Sequence, residues 1–204
     1  PAIAGSVSKP GTSPVEGPQV WRGPEMAARP TEWIYEMSAA DNADLNAATA
    51  AAISTGKNIL DIEAVDFPLP QFGAKLAEMR EEMLHGRGFK LLRGLPIQDR
   101  PIEEVAFMYW GIGAHLGYVV SQNAKGHVLG HVKDLGLNYA DPQARGYQTS
   151  ARLPYHTDYS DLVGLLCLKK ARSGGLSSIV SSSALYNHIM AERPDLGEAL
   201  MPVS

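Results

Sequence analysis

The sequence predicts an α+β domain in which helices come first and a β-barrel or jelly roll follows. Apolar residues recur at helical spacing up to Gly117. Beyond it the pattern changes to short extended pieces parted by Gly, Asn, Asp and Pro, and no internal repeat is evident. Helices followed by several short strands, not interleaved with further helices, fit a barrel with helices packed outside. At 204 residues, 45% hydrophobic and 20% charged, the chain suits one sizeable domain, with or without an ordered arm.

Residues 1–30 read as a proline-rich arm. They hold Pro1, Pro10, Pro14, Pro18, Pro24 and Pro30, six of the 14 prolines. Proline fixes φ and removes a backbone donor, so no helix or central strand is expected to persist there. Trp21 is the residue able to anchor the arm to the body. Residues 33–37 predict a short strand. Residues 41–53 are Ala-rich and predict a helix capped by Asp41 or Asn42.

Phe72, Leu76, Met79 and Met83 follow at spacings of 4, 3 and 4, one face of a helix over 71–85 that Gly86 ends in a left-handed cap. A strand over 88–96 comes next. Asp99 then caps a third helix with Pro101 in its first turn. Ile102, Val105, Tyr109, Ile112 and Leu116 line its buried side, and Gly117 ends it. Four strands are expected at 118–122, 127–134, 163–169 and 176–181. A last helix covers 183–192 and stops at Arg193 and Pro194.

Composition excludes several classes. The apolar share rules out wholesale disorder. The longest apolar run, residues 163–168, falls far short of the roughly 18–20 residues a membrane helix needs. A net charge of −4 and a pI near 5.9 argue against a nucleic-acid or anionic-membrane binder. The single cysteine, Cys167, excludes an internal disulfide framework and a multi-cysteine zinc site. Within its apolar run it is expected to be a buried small hydrophobe. No charged-then-apolar leader follows Pro1, so the expected compartment is the cytoplasm. The chain stops at Ser204 just after a helical stretch, with no tail-like composition, and is expected to be incomplete at its C-terminal end.

The chemistry concentrates in Arg152-Leu153-Pro154-Tyr155-His156-Thr157-Asp158-Tyr159. On a strand, residues two apart point to the same side. The His156 imidazole and the Asp158 carboxylate can therefore converge on one metal ion. Completed by a further His, such a pair is the facial triad that holds ferrous iron with open positions for substrate and oxygen. The same tripeptide also arises where an Asp merely accepts a hydrogen bond from its neighbouring His, and by itself it does not choose between the two.

After His156 come an apolar stretch, the polar turn Lys169-Lys170-Ala171-Arg172-Ser173, and Gly174-Gly175-Leu176-Ser177. This order resembles the TauD/TfdA (taurine dioxygenase-like) family of iron(II)- and 2-oxoglutarate-dependent dioxygenases. Looser likenesses lie in Gly88-Phe89 through Arg93-Gly94-Leu95, in Gly113 to Gly117, and in Val132-Lys133-Asp134. The resemblance covers roughly residues 60–204, so that 31–204 would form the N-terminal portion of such a domain.

It implies a double-stranded β-helix (jelly-roll) core and oxidation of a small organic substrate, commonly by hydroxylation, with succinate and CO2 as co-products. It also implies Fe(II) on His156 and Asp158, and a 2-oxoglutarate carboxylate receiving the Ser177 hydroxyl. A buried dianion needs such donors and normally an arginine as well. Gln122 falls where relatives place a polar substrate contact. Arg152 can pair an anionic substrate bidentately, and Tyr155 and Tyr159 can wall the pocket; a solvated loop charge and plain packing remain open for these. The implied partners are a small molecule and molecular oxygen, with no nucleic acid and no membrane.

The family's second iron-binding His and its 2-oxoglutarate Arg lie well beyond the motif. After Asp158 this chain offers only His188, inside a predicted helix, with Arg172 and Arg193 as its late arginines. A non-catalytic jelly-roll scaffold derived from the family is therefore the alternative, and a metal-dependent hydrolase a weaker third.

Overall fold

The computed structural model describes residues 13–120, 128–140 and 146–199. Its elements in chain order are α1 (Gly23–Ala28), α2 (Pro30–Trp33), β1 (Ile34–Glu36), α3 (Ala39–Ser54), α4 (Phe72–His85), β2 (Leu91–Arg93), α5 (Ile102–Leu116), α6 (Ser182–Glu192) and α7 (Pro194–Ala199). The chain divides into two compact units.

The unit built from Met37–Arg80 and Gly94–Gly175 holds the main helical core. Its first helix, α3, starts in a capping box. Ser38 Oγ accepts the Asp41 N–H at 3.1 Å, and the Asp41 carboxylate accepts the Ser38 N–H at 2.8 Å. The cap is thus Ser38, three residues before the expected Asp41, because Asp41 takes the return bond instead. Asp44 reaches from α3 to the start of α4, where its carboxylate accepts the N–H groups of Gln71 and Phe72 at 3.0 and 2.9 Å. These are donors that no helix satisfies internally.

The helices α3 and α5 pack against each other. Leu45, Ala48 and Ala52 of α3 are buried, as are Val105, Met108 and Ile112 of α5. The expected face of α5 is shifted: Ile102 is 46% exposed, whereas Met108 is fully buried. Phe67 is fully buried, and a Cβ added at Gly111 would meet its ring at 2.4 Å, so glycine is what lets ring and helix approach. Two buried-side donors find carbonyls at long range: Trp110 Nε1 donates to Ile62 at 2.9 Å and His115 Nε2 to Phe67 at 2.7 Å. Asp99 does not cap α5. It adopts a left-handed backbone at φ 58°, and Pro101 is the residue before the helix, with no side-chain cap.

The second unit contains residues 13–36, 81–93 and 176–199. Here β1 and β2 form a two-stranded parallel sheet with Ile34 opposite Leu91 and Glu36 opposite Arg93. Contrary to the expectation for the arm, α1 and α2 form near its end, because Pro24 and Pro30 stand in first turns, where a missing N–H costs nothing. Trp21 is 8% exposed; its Nε1 donates to the Arg87 carbonyl at 2.8 Å and its ring lies 5.0 Å from Phe89. The left-handed glycine beyond α4 is Gly88, at φ 89°, not Gly86. At the far end, Ser181 caps α6, and Pro194, expected only to stop that helix, opens α7.

Among the described residues β1 and β2 are the only strands. The stretches 118–120, 128–134, 163–169 and 176–181, expected as strands, are irregular; residues 121, 122 and 127 lie outside the described residues. The reason is physical. A strand satisfies its N–H and C=O groups only through neighbours distant in sequence. The nearest approach to a ladder is Lys133 N–H to the Tyr147 carbonyl at 3.1 Å and Leu135 N–H to that of Gln148 at 2.9 Å. A jelly roll is therefore not formed among the described residues. Cys167, expected buried, is exposed for the same reason. No helix among the described residues is long and apolar enough to cross a membrane.

Candidate functional site

The motif segment is prepared by a turn at Gly146–Gln148. Thr149 closes it, donating its N–H and its hydroxyl to the Gly146 carbonyl at 3.1 and 2.9 Å. A Cβ at Gly146 would meet Leu153 Cδ2 at 2.2 Å, so Leu153 folds back onto this turn. Further on, a Cβ at Gly164 would lie 2.6 Å from the Tyr109 hydroxyl, so the apolar stretch after the motif rests on α5 at a glycine. Burial pushes the Tyr109 phenol above its ordinary pKa, which keeps it neutral at any physiological pH.

His156 Nδ1 lies 2.8 Å from the Pro154 carbonyl. A carbonyl can only accept, so Nδ1 is the donor in this contact, and Nε2 is the ring nitrogen left to face a metal. Metal-binding histidines are held in this way, with one ring nitrogen donating to a backbone oxygen and the other presented to the ion. The side chain is exposed, so Nε2 is accessible. Asp158, two residues on, is also exposed, and no hydrogen bond or ion pair engages it among the described residues. The plainer reading of the tripeptide, with Asp158 accepting from His156, is not the arrangement found. Both side chains stand available, and a hard carboxylate with an imidazole suits a divalent first-row metal. They are two of the three ligands a facial triad needs. Among the described residues no cluster of three or more His, Cys, Asp or Glu is gathered to hold a metal ion.

Arg152, Tyr155 and Tyr159 are exposed, Tyr159 completely at 109%, so none of them yet walls a pocket. Gln122 lies outside the described residues. Ser177 belongs to the other unit, where it is exposed, four residues ahead of buried Ser181. His188 projects from α6 into a cavity of about 360 Å³ lined by Trp21, Arg22, Glu25, Asn187 and Glu192 among others. It is a helix residue, not a strand-borne ligand.

Residues 52–203 match the family described as taurine catabolism dioxygenase TauD, TfdA. The chain belongs to the TauD/TfdA family. FR-33289 synthase of Streptomyces rubellomurinus is 31% identical over 184 residues, which cover 90% of this chain and 54% of that protein. A taurine hydroxylase-like protein of Stachybotrys chartarum is 32% identical over 188 residues, covering 88% of this chain and 48% of its own. The chain thus spans about half the length of the curated relatives it matches. Members of the TauD/TfdA family are oxygenases that generally use Fe(II) and 2-oxoglutarate and are built on a jelly roll.

Sequence reasoning singled out the motif but missed what holds it. The bond from His156 to Pro154 has no period or spacing signature. Ser181 and Asn187, which tie down the chain beyond Ser177, were readable only as the end of an expected strand and an ordinary member of the helix after it.

Proposed function

We propose that this protein is an Fe(II)- and 2-oxoglutarate-dependent dioxygenase that hydroxylates a small organic substrate, with succinate and CO2 as co-products. The observation that carries the reading is the His156 ring, turned by its Nδ1 contact with the Pro154 carbonyl, beside the unengaged Asp158 carboxylate. Its ordering within a family-matched stretch supports it further. Residues 31–204 supply the N-terminal portion of the catalytic domain, and a distal His and Arg complete the metal and co-substrate sites.

In this reading His156 Nε2 and an Asp158 oxygen hold the iron. The bound metal and co-substrate supply the oxidising chemistry. The chain's own residues bind and orient. The Pro154 carbonyl orients the His156 ring by accepting from Nδ1, so that Nε2 is the nitrogen turned to the metal. Ser177 donates its hydroxyl to a 2-oxoglutarate carboxylate, a charge-assisted bond. Gln122, Arg152 and Tyr159 contact the substrate, Arg152 by pairing an anionic group.

The test is Asp158→Ala in the full-length protein. The substitution removes a ligand and no core volume, since Asp158 is exposed. Iron retention and 2-oxoglutarate-dependent succinate release should both be abolished, with the melting temperature unchanged. Near-parental iron content and turnover in that variant would eliminate the site.

A further inference from the structure

Between residues 113 and 196, Ser181 is the one buried residue among the described residues. It is only 5% exposed, and its hydroxyl is used in both directions. Oγ accepts the Ala184 N–H at 2.9 Å, capping α6, and donates to the Gln19 carbonyl. A buried serine costs stability unless so paired. Six residues on, Asn187 Oδ1 accepts the Val15 N–H at 2.7 Å while its Nδ2 donates to the Val15 carbonyl at 2.8 Å. One side-chain amide thus satisfies both backbone groups of a residue in the arm, as a neighbouring strand would.

These bonds read the arm through its backbone. Val15 and Gln19 lie outside the family-matched residues, whereas Ser181 and Asn187 lie within them. Residues 171–180, which carry Ser177, are exposed throughout. Their one firm point of attachment in sequence is therefore the buried Ser181 that follows. Fixing one end of a short segment removes much of the conformational freedom that a ligand contact would otherwise have to remove.

We infer that Ser181 is a positioning residue for the co-substrate contact at Ser177, and that residues 15–19 of the arm, gripped through Ser181 and Asn187, support that contact. This rests on the reading of Ser177 as a 2-oxoglutarate donor.

The experiment measures 2-oxoglutarate dissociation constants by calorimetry on the full-length protein loaded with Mn(II). Parent, Ser181→Ala, Ser181→Thr, Ser177→Ala and a deletion of residues 1–19 are compared. Mn(II) affinity and amide exchange over residues 173–181 are read alongside. Ser181→Ala and the deletion should each weaken 2-oxoglutarate about three- to tenfold, the range expected for one lost hydrogen bond. Exchange over 173–181 should quicken, Mn(II) affinity should hold, and Ser181→Thr should restore parental values.

Should Ser181→Ala fail to fold, the deletion alone decides. Parental binding and exchange in the deletion, with Ser177→Ala weakened, overturns the anchoring role and leaves the Ser177 reading standing. Parental binding in Ser177→Ala overturns that reading and the inference with it. Loss of Mn(II) affinity in the Ser181 variant or the deletion shows a general structural role and overturns the specific one.

Discussion

The α3–α5 pair and the motif-bearing residues 128–175 belong to one compact unit, yet they treat their apolar side chains in opposite ways. Leu45, Ala52, Val105, Met108 and Ile112 are all nearly or fully buried, whereas Val163, Leu165 and Leu168 are 58, 75 and 46% exposed. Hydrophobicity does not separate the two. Backbone bookkeeping does: a helix satisfies its own N–H and C=O groups, so two helices can bury a shared face using little but themselves. A strand borrows its partners from elsewhere. The motif segment has the composition of a strand region and, among the described residues, none of the ladders.

The largest effect that follows is in hydrogen exchange. In the 204-residue chain, amides over 151–180 should exchange at close to unstructured rates, and the central amides of α3 and α5 slower by orders of magnitude. Strong protection over 163–169 in this chain would break the contrast. In the full-length protein the same amides should become protected, which would show that the strand partners come from outside these residues.

The same distinction explains how far the sequence could be read. The helices were legible because their signals are local: the spacing of Phe72, Leu76 and Met79 marks the buried side of α4, and Gly117 ends α5 as expected. The errors at their ends are errors of one competing side chain. Asp41 reads as a cap until Ser38, three residues earlier, is seen to complete the box. Asp99 reads as a cap until its left-handed backbone is known. The face of α5 slipped because Met108 and Ile102 are both apolar, and only the packing partners decide which is covered. In the site, His156 and Asp158 were legible as residue types at a spacing. The Pro154 carbonyl that orients the His156 ring was not, since every residue has one.

A second effect sharpens the contrast from the helical side. Gly111 faces the Phe67 ring so closely that an added Cβ would stand 2.4 Å from it, and the ring is fully buried with no room to swing. Gly111→Ala should therefore destabilise by overpacking, by about 1–3 kcal/mol, despite alanine's better helix propensity. Gly130→Ala, where nothing lies within 4 Å, should leave thermal stability nearly unchanged. Equal melting temperatures for the two variants would mean that α5 and Phe67 are not packed as described.

The smallest effect concerns the link between α3 and α4. Lys57 Nζ donates to the Asp66 carboxylate at 2.7 Å, and the other Asp66 oxygen accepts the Glu63 N–H at 3.1 Å. The Lys57 bond, then the Glu63 N–H, hold the Asp66 carboxyl below its ordinary range, while the bond to Asp66 raises Lys57. A depressed carboxylate contributes stability above its unfolded pKa, near 3.9, and loses it as pH falls through the folded value. A raised lysine contributes fully below its unfolded pKa and loses that as pH rises through its folded one. At neutral pH both contributions are present, though solvent screens the pair. Lys57→Met should then lower the melting temperature slightly at pH 7 and low salt, with the difference fading at high salt and as the pH falls through the depressed folded pKa of Asp66. A salt-independent loss would instead assign Lys57 a packing role through its aliphatic stem, and would place this link with the core rather than with the surface.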